Sequence, residues 1–238
     1  MLIKRHEYYE DLAGFGNLNS FGGRKYKNQP INKRPVVFIH GNSDGALAGH
    51  GGDWNSGWSK SISYFMSHGG YTTAELYAIT YGVRDITKSL ESKLTCGTAT
   101  RLRRFVDAVL EYTGAEEIDI IAHSMGFGFW VGPSCPEYTD VSLCSEDLLP
   151  CEDNSGDILA KLNYSRDDAK YIASFWSTND TIIGPTNRAY GWRTSIVAGT
   201  KKEMKYDGLT HYTLKTDTVS DQLKILQLEL EFCVKLED

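Results

Sequence analysis

The stretch Ile118-Asp119-Ile120-Ile121-Ala122-His123-Ser124-Met125-Gly126 decides how the chain folds. Ile118 to Ala122 is a short β-branched run and reads as a strand. Ala122 to Gly126 is a variant of G-x-S-x-G with Ala in the first small position. A strand-to-helix turn this sharp puts its Ser in a strained backbone conformation, which is tolerable only if the residues two before and two after carry almost no side chain. Ala122 and Gly126 meet that requirement.

Working outward, Pro35-Val36-Val37-Phe38-Ile39 is a continuous apolar run, the pattern of a strand buried on both faces of a parallel sheet, and it leads into His40-Gly41-Asn42. Ala74 to Thr80 and Tyr171 to Trp176 read as two more strands. Before Ala74, Trp58, Ile62, Phe65 and Met66 repeat at helical spacing, and Gly69-Gly70 ends that helix. Leu102, Phe105, Val106, Val109 and Leu110 predict a second helix, and Val219, Leu223, Leu226 and Leu230 a last one. Strands alternating with helices predict an α/β fold with a mostly parallel sheet and right-handed crossovers. Residues 1–33 are rich in Gly, Asn, Lys and Tyr and read as an N-terminal arm, with Lys33 and Arg34 on a solvated approach to the first core strand. Residues 34–238 then make one domain, and there is no internal repeat.

Composition narrows the function. With 238 residues the chain is long enough to build a core without metal or disulfide staples. Its 25 Lys+Arg against 31 Asp+Glu leave a net charge of -6 and no basic stripe to neutralise phosphates, which excludes nucleic acid as the expected partner. No apolar run approaches the roughly 20 residues that span a bilayer, so no integral membrane segment is expected. The first ten residues have two apolar residues and then charge, so they lack the apolar stretch of a secretory signal. Cys96, Cys135, Cys144, Cys151 and Cys233 include no C-x-x-C pair, which argues against zinc or a redox motif. Cys135, Cys144 and Cys151 crowd one polar stretch and look like loop cross-links of an oxidising compartment. The sequons at Asn163 and Asn179 lean the same way. Gly45, Gly49, Gly51 and Gly52 follow the first core strand, but no G-K-[ST] comes after them, so they are not a phosphate loop.

Sites in parallel α/β sheets form at the carboxyl ends of strands. A Ser hydroxyl there is a weak nucleophile that needs a base to take its proton and a carboxylate to orient the base. The expected chain order is Ser, acid, His. Asp180 follows the strand ending near Trp176, and His211 lies in the loop Gly208-Leu209-Thr210-His211 before the final helix. Asp207 and Asp217 are runner-up acids, but neither follows a convincing strand. An acyl carbonyl under attack also needs backbone N–H donors for its oxyanion. Met125 supplies one, and Asn42, which Gly41 allows to come close, the other. His40 and His123 flank and shape the site, and Trp54 and Tyr81 are candidates to line an acyl pocket, with Trp58 and Trp192 behind them. His6, His50 and His68 are expected to face solvent. The set is that of an acyl-transfer site.

Pro35 to Asn42, Gly57-Trp58, Thr80-Tyr81-Gly82, Ala122 to Gly126 and Ser177 to Gly184 together resemble the class 2 lipase family of α/β-hydrolases, from about Pro35 to the C-terminus. The resemblance implies an α/β-hydrolase fold with helices on both faces of the sheet. It implies Ser124 as nucleophile, Asp180 as acid, His211 as base, and Asn42 and Met125 as oxyanion donors. It further implies secretion and hydrolysis of carboxylic esters in acyl lipids, with no cofactor; beside it, a monomer without a metal site, in transient contact with a lipid interface, is expected. Phe127-Gly128-Phe129-Trp130-Val131-Gly132-Pro133 departs from the family pattern, because Gly and Pro are poor helix residues. A minimal form of the fold is therefore expected, with a shortened helix and a missing strand after Ser124. The alternative is a catalytically impaired lipase-like protein serving as a lipid-binding or interaction module.

Overall fold

The computed structural model describes residues 20–92, 96–126, 169–189, 192–196 and 199–234. The chain divides into two compact units, Met1–Val141 and Ser142–Asp238. In the first, the elements in chain order are β1 (Ser20–Phe21), β2 (Val36–Ile39), a 3-10 turn (Asp53–Asn55), α1 (Ser59–His68), β3 (Leu76–Ile79), a second 3-10 stretch (Ile86–Glu91), α2 (Cys96–Thr113) and β4 (Asp119–Ala122). β2 lies between β3 and β4 and is parallel to both, with Phe38 opposite Ala78 on one side and Ile121 on the other. β1 pairs antiparallel with β3 at the edge, giving the order β1-β3-β2-β4. The unbroken apolar run of β2 is explained by its place, since all four of its residues are fully buried.

Side chains alternate across a strand, so Phe38 and Val37 face opposite ways. Phe38 packs on Trp58 and Phe65 of the α1 region, at ring distances of 5.2 and 5.7 Å. Tyr77, which shares a face with its register partner Val37, meets Tyr112 of α2 edge-on at 6.4 Å. Helices therefore cover both faces of this sheet. Leu102, Phe105, Val106 and Val109 are the buried stripe of α2, as their spacing predicts. Met66 of α1 remains exposed. Arg34 is not on a solvated approach: its guanidinium bonds Asp119 at 3.1 Å and Glu117 at 3.2 Å, clamping the starts of β2 and β4 together.

In the second unit, β5 (Ala173–Ser177) runs parallel to β8 (Lys202–Tyr206), and β6 (Arg188–Ala189) pairs antiparallel with β7 (Trp192–Arg193). Two helices follow, α3 (His211–Asp217) and α4 (Val219–Val234). β8 has no apolar run, which is why hydropathy does not reveal it. It alternates instead: Met204 and Tyr206 are half-buried while Lys202, Glu203 and Lys205 are exposed. Its register against β5 puts Lys205 beside Trp176, whose indole N–H donates to Glu203 at 2.6 Å. On the other face, Phe175 and Tyr206 pack at 5.8 Å, and the Tyr206 hydroxyl donates to Asp221 of α4. The shortened helix and missing strand expected after Ser124 fall in residues 127–168, outside the described residues. The parallel strands and flanking helices make this the α/β fold anticipated from sequence. Among the described residues, no helix is long and apolar enough to cross a membrane.

Candidate active site

In the first unit, β4 ends in a tight turn that holds Ser124 at φ 54, in the left-handed region that L-residues rarely enter. The turn continues as a single 3-10 turn over residues 124–126, with the Gly126 N–H donating to His123 O at 3.0 Å. Gly126 is required by contact. A Cβ there would lie 2.6 Å from His40 O and 2.8 Å from Ile39 O, both backbone atoms of the neighbouring strand and its exit. We expect Gly126→Ala to destabilise the protein by about 1 to 3 kcal/mol, because the overlap can be relieved only by moving backbone. Thermal unfolding should show this as a Tm lowered by roughly 2 to 12 °C. An unchanged Tm would contradict this packing.

The loop leaving β2 runs against the same turn. A Cβ on Gly41 would come within 2.8 Å of Ser124 Cβ and 3.2 Å of His123 Nδ1. The backbone of Gly41 is thereby pressed beside the Ser. His40 is buried, and its tautomer follows from its partners: the Tyr81 N–H donates to Nε2 at 2.9 Å, so Nδ1 carries the proton and donates to Gly41 O at 2.6 Å. The Tyr81 ring stacks on His40 at 4.2 Å, and its hydroxyl donates to His40 O at 2.7 Å. Burial, with a further push from the Asp44 carboxylate, drives the Tyr81 phenol far above its ordinary value, so it remains a neutral donor. His40 and Tyr81 thus set the course of the loop through its backbone.

The loop is further secured by three polar side chains. Buried Asp44 accepts the Gly57 N–H at 2.9 Å, and Thr80 Oγ1 accepts the Ala46 N–H at 2.9 Å. The Asn42 side chain donates to Ser89 O at 2.7 Å. Asn42 and Thr80 belong to the motifs quoted above, but no motif marks Asp44 or assigns these side chains to holding the loop; the available signal is polar side chains immediately after two apolar strands. Trp54, half-buried on the 3-10 turn, lies against Gly51, while Trp58 is a core residue. His50 and His68 are exposed, as expected.

In the second unit, His211 and Asp180 are both buried, and Nδ1–H of the imidazole donates to Asp180 Oδ2 at 2.8 Å. Asp180 Oδ1 accepts the N–H groups of Ile182 and Ile183 at 2.9 and 2.8 Å. Burial pushes this carboxyl up, but the bond from His211 and the two backbone bonds outweigh it, so the group titrates below the usual carboxylate range. The turn carrying Asp180 is tied to the one before His211: Thr178 Oγ1 donates to Asp207 at 2.7 Å, and the Thr178 N–H to Tyr206 O at 3.0 Å. Asp207 does follow a strand, β8, contrary to the sequence expectation, but its carboxylate is exposed and bonded to Thr178.

His211 is not a loop residue, as the sequence suggested, but the first residue of α3. Thr210 caps the helix, accepting the Thr213 N–H at 3.1 Å, while Thr213 Oγ1 accepts the Thr210 N–H at 2.7 Å. This capping box carries Thr where Glu or Gln is usual, and for that reason it escapes pattern reading. Among the described residues, no group of three or more His, Cys, Asp or Glu is placed to hold a metal ion.

Two solved structures resemble this one at low identity. A predicted CIB-like hydrolase from Thermoplasma acidophilum is 14% identical, with a TM-score of 0.45 over 84% of this chain and 87% of that one. MGS-MChE2, an α/β hydrolase enzyme from the metagenome of sediments of the lagoon of Mar Chica, Morocco, is 11% identical, with a TM-score of 0.46 over 90% and 99%. No curated protein matches the chain. The profile of the family described as Lipase (class 2) matches residues 33–130 and 127–224, which takes in every candidate residue above. The chain is a hydrolase of the α/β-hydrolase fold, and it belongs to the class 2 lipase family.

Proposed function

We propose that the protein is a serine hydrolase of carboxylic esters, acylglycerol lipids foremost, acting through Ser124, His211 and Asp180. The observation that carries this reading is the buried 2.8 Å bond between His211 and Asp180. It keeps the proton on Nδ1, which makes Nε2 the basic nitrogen, and it stabilises the imidazolium once Nε2 is protonated. The strained Ser124, the Gly41 backbone against it and membership of a lipase family support the rest.

Ser124 Oγ attacks the ester carbonyl while His211 Nε2 takes its proton. The carbonyl oxygen becomes an oxyanion held by the N–H groups of Asn42 and Met125. Collapse of the tetrahedral species breaks the bond to the alcohol, which leaves with the proton from His211, and Ser124 remains acylated. Water then attacks the acyl carbon, giving its proton to His211, and the acid departs as the Ser124 hydroxyl is restored. No step calls on a cofactor. The cysteines at 135, 144 and 151 favour an oxidising, extracellular setting.

Lipid as the substrate class is supported by a second feature. Val83, Ile86 and Leu90 are exposed apolar side chains, Leu90 completely so, and they stand on the segment that bonds the Asn42 side chain. Isolated apolar side chains at a surface need no explanation, but a group beside a lipase site suits contact with aggregated substrate. Leu90→Asp is expected to lower the ratio of hydrolysis of an emulsified triacylglycerol to hydrolysis of a dissolved short ester. An unchanged ratio would remove this support.

A fluorophosphonate probe tests the site itself. Stoichiometric labelling, mapped by mass spectrometry to Ser124, is the expected result, since only an activated serine reacts. Absence of labelling in a folded protein that still binds lipid would favour the lipid-binding module.

A further inference from the structure

The loop between β2 and α1 carries glycines at 45 and 49 that no phosphate explains, and the structure supplies another occupant for the space they leave. The guanidinium of Arg84 lies there. A Cβ on Gly45 would meet Arg84 Cζ and Nε at 2.6 Å, and one on Gly49 would meet Arg84 Nη2 at 2.5 Å. From this slot Nη2–H donates to Leu47 O at 2.9 Å and also bonds Asn55 Oδ1, so a single side chain from beyond β3 spans the loop. Burial lowers the Arg84 pKa from its ordinary value, and the nearby Asp44 carboxylate partly offsets this.

The residues after Arg84 hold the catalytic end of the same loop. Ser43 stands at φ 60, another strained non-glycine position, and its Oγ is 3.1 Å from both Asp85 O and Asn42 Oδ1. Asn42 Nδ2 donates to Ser89 O. The loop is thus held at Asn42, Ser43 and Leu47 by one short stretch, residues 84–89. Gly41, immediately before, abuts Ser124.

We propose that Arg84 is a positioning residue for ester hydrolysis: seated in the Gly45–Gly49 slot, it holds the loop so that the Asn42 N–H stays aimed at the oxyanion. The proposal rests on the serine-hydrolase reading above. Arg84 does not touch the substrate; it acts through the backbone it bonds. A long side chain with a planar head suits the task, because Nη2 alone reaches Leu47 O and Asn55 Oδ1 while the rest of the guanidinium fills the space left by Gly45 and Gly49. Since a displaced oxyanion donor acts on the transition state more than on the bound ester, loss of Arg84 should appear in kcat and not in KM.

The test compares wild type, Arg84→Met, Arg84→Lys and Gly49→Ala on a dissolved p-nitrophenyl ester, with affinity for an alkyl boronic acid as the measure of tetrahedral-species binding. Arg84→Met is expected to lower kcat on the order of tenfold to a hundredfold, the scale of a misplaced or lost oxyanion donor. KM should hold within about twofold, and boronate affinity should fall in step with kcat. Arg84→Lys should recover only part of the loss, since an ammonium can donate to the same two acceptors but leaves the Gly45 side of the slot, which the guanidinium plane fills, empty. Gly49→Ala should reproduce the effect with Arg84 still present, because its Cβ intrudes mainly on the guanidinium tip and the Asn55 amide. Should Arg84→Met fail to fold, Gly49→Ala and Arg84→Lys decide the matter by the same readings.

An unchanged kcat in these variants overturns the proposal. So does a loss of activity that follows only the folded fraction, or a raised KM with kcat intact, which would make Arg84 a substrate contact. Wild-type protein that neither hydrolyses the ester nor reacts with fluorophosphonate overturns the serine-hydrolase reading, and this proposal with it.

Discussion

Ser124→Ala is expected to lower kcat for a short p-nitrophenyl ester by about a million-fold, the scale of losing the nucleophile in a serine hydrolase. The residual rate would come from the oxyanion donors and substrate binding alone, which act without the acyl-enzyme. The fold should survive, because alanine removes one oxygen and leaves the close approach of Gly41 to Cβ unaltered. Steady-state rates together with thermal unfolding separate the two effects. A variant that turns over the ester as fast as the parent would end the assignment of Ser124.

Asp180→Asn is the second large effect, an expected drop of about ten-thousand-fold in kcat. The amide can offer an N–H to His211 and so favour the tautomer with its proton on Nε2, leaving no base toward the serine. Nor can a neutral amide stabilise the imidazolium as the carboxylate does. The same substitution has a signature in stability. The native carboxyl titrates below its ordinary range because His211, Ile182 and Ile183 all donate to its charged form. A carboxyl lowered on folding stabilises the native state above its unfolded value, about 3.9. That contribution is lost as the pH falls through the lower folded value. Wild type should therefore exceed Asp180→Asn in stability near neutrality, with the gap closing below about pH 3.9. Denaturant unfolding across that range measures it; a gap independent of pH would mean that the charge contributes nothing.

Much of the first unit was legible because two of its strands, β2 and β3, are buried on both faces. Val36 to Ile39 and Leu76 to Ile79 are apolar throughout, and parallel strands covered by helices leave no other pattern open to them. The elbow could be read for a related reason: Ser124 at φ 54 tolerates only minimal side chains around it, and that demand is written locally in Ala122 and Gly126. β8 and α3 were illegible for the opposite reason. Lys202 to Tyr206 forms a strand by pairing with β5, and His211 joins a helix through a Thr-Thr capping box, so the deciding interactions are partners and not composition.

What the amino-acid sequence determined by itself is the α/β order of elements, the turn at Ser124 and the residue types able to transfer an acyl group, because hydropathy period and steric exclusion act between near neighbours in the chain. What only tertiary structure decided is which carboxylate meets His211 and why the loop after β2 is rich in glycine. Asp180 and Asp207 are equivalent as letters; the fold buries one against the imidazole and leaves the other in solvent. Gly45 and Gly49 acquire their reason from Arg84, which lies beyond an intervening helix and strand and fills the space they leave. Such contacts join residues tens of positions apart, and their energy exists only once the chain has brought them together.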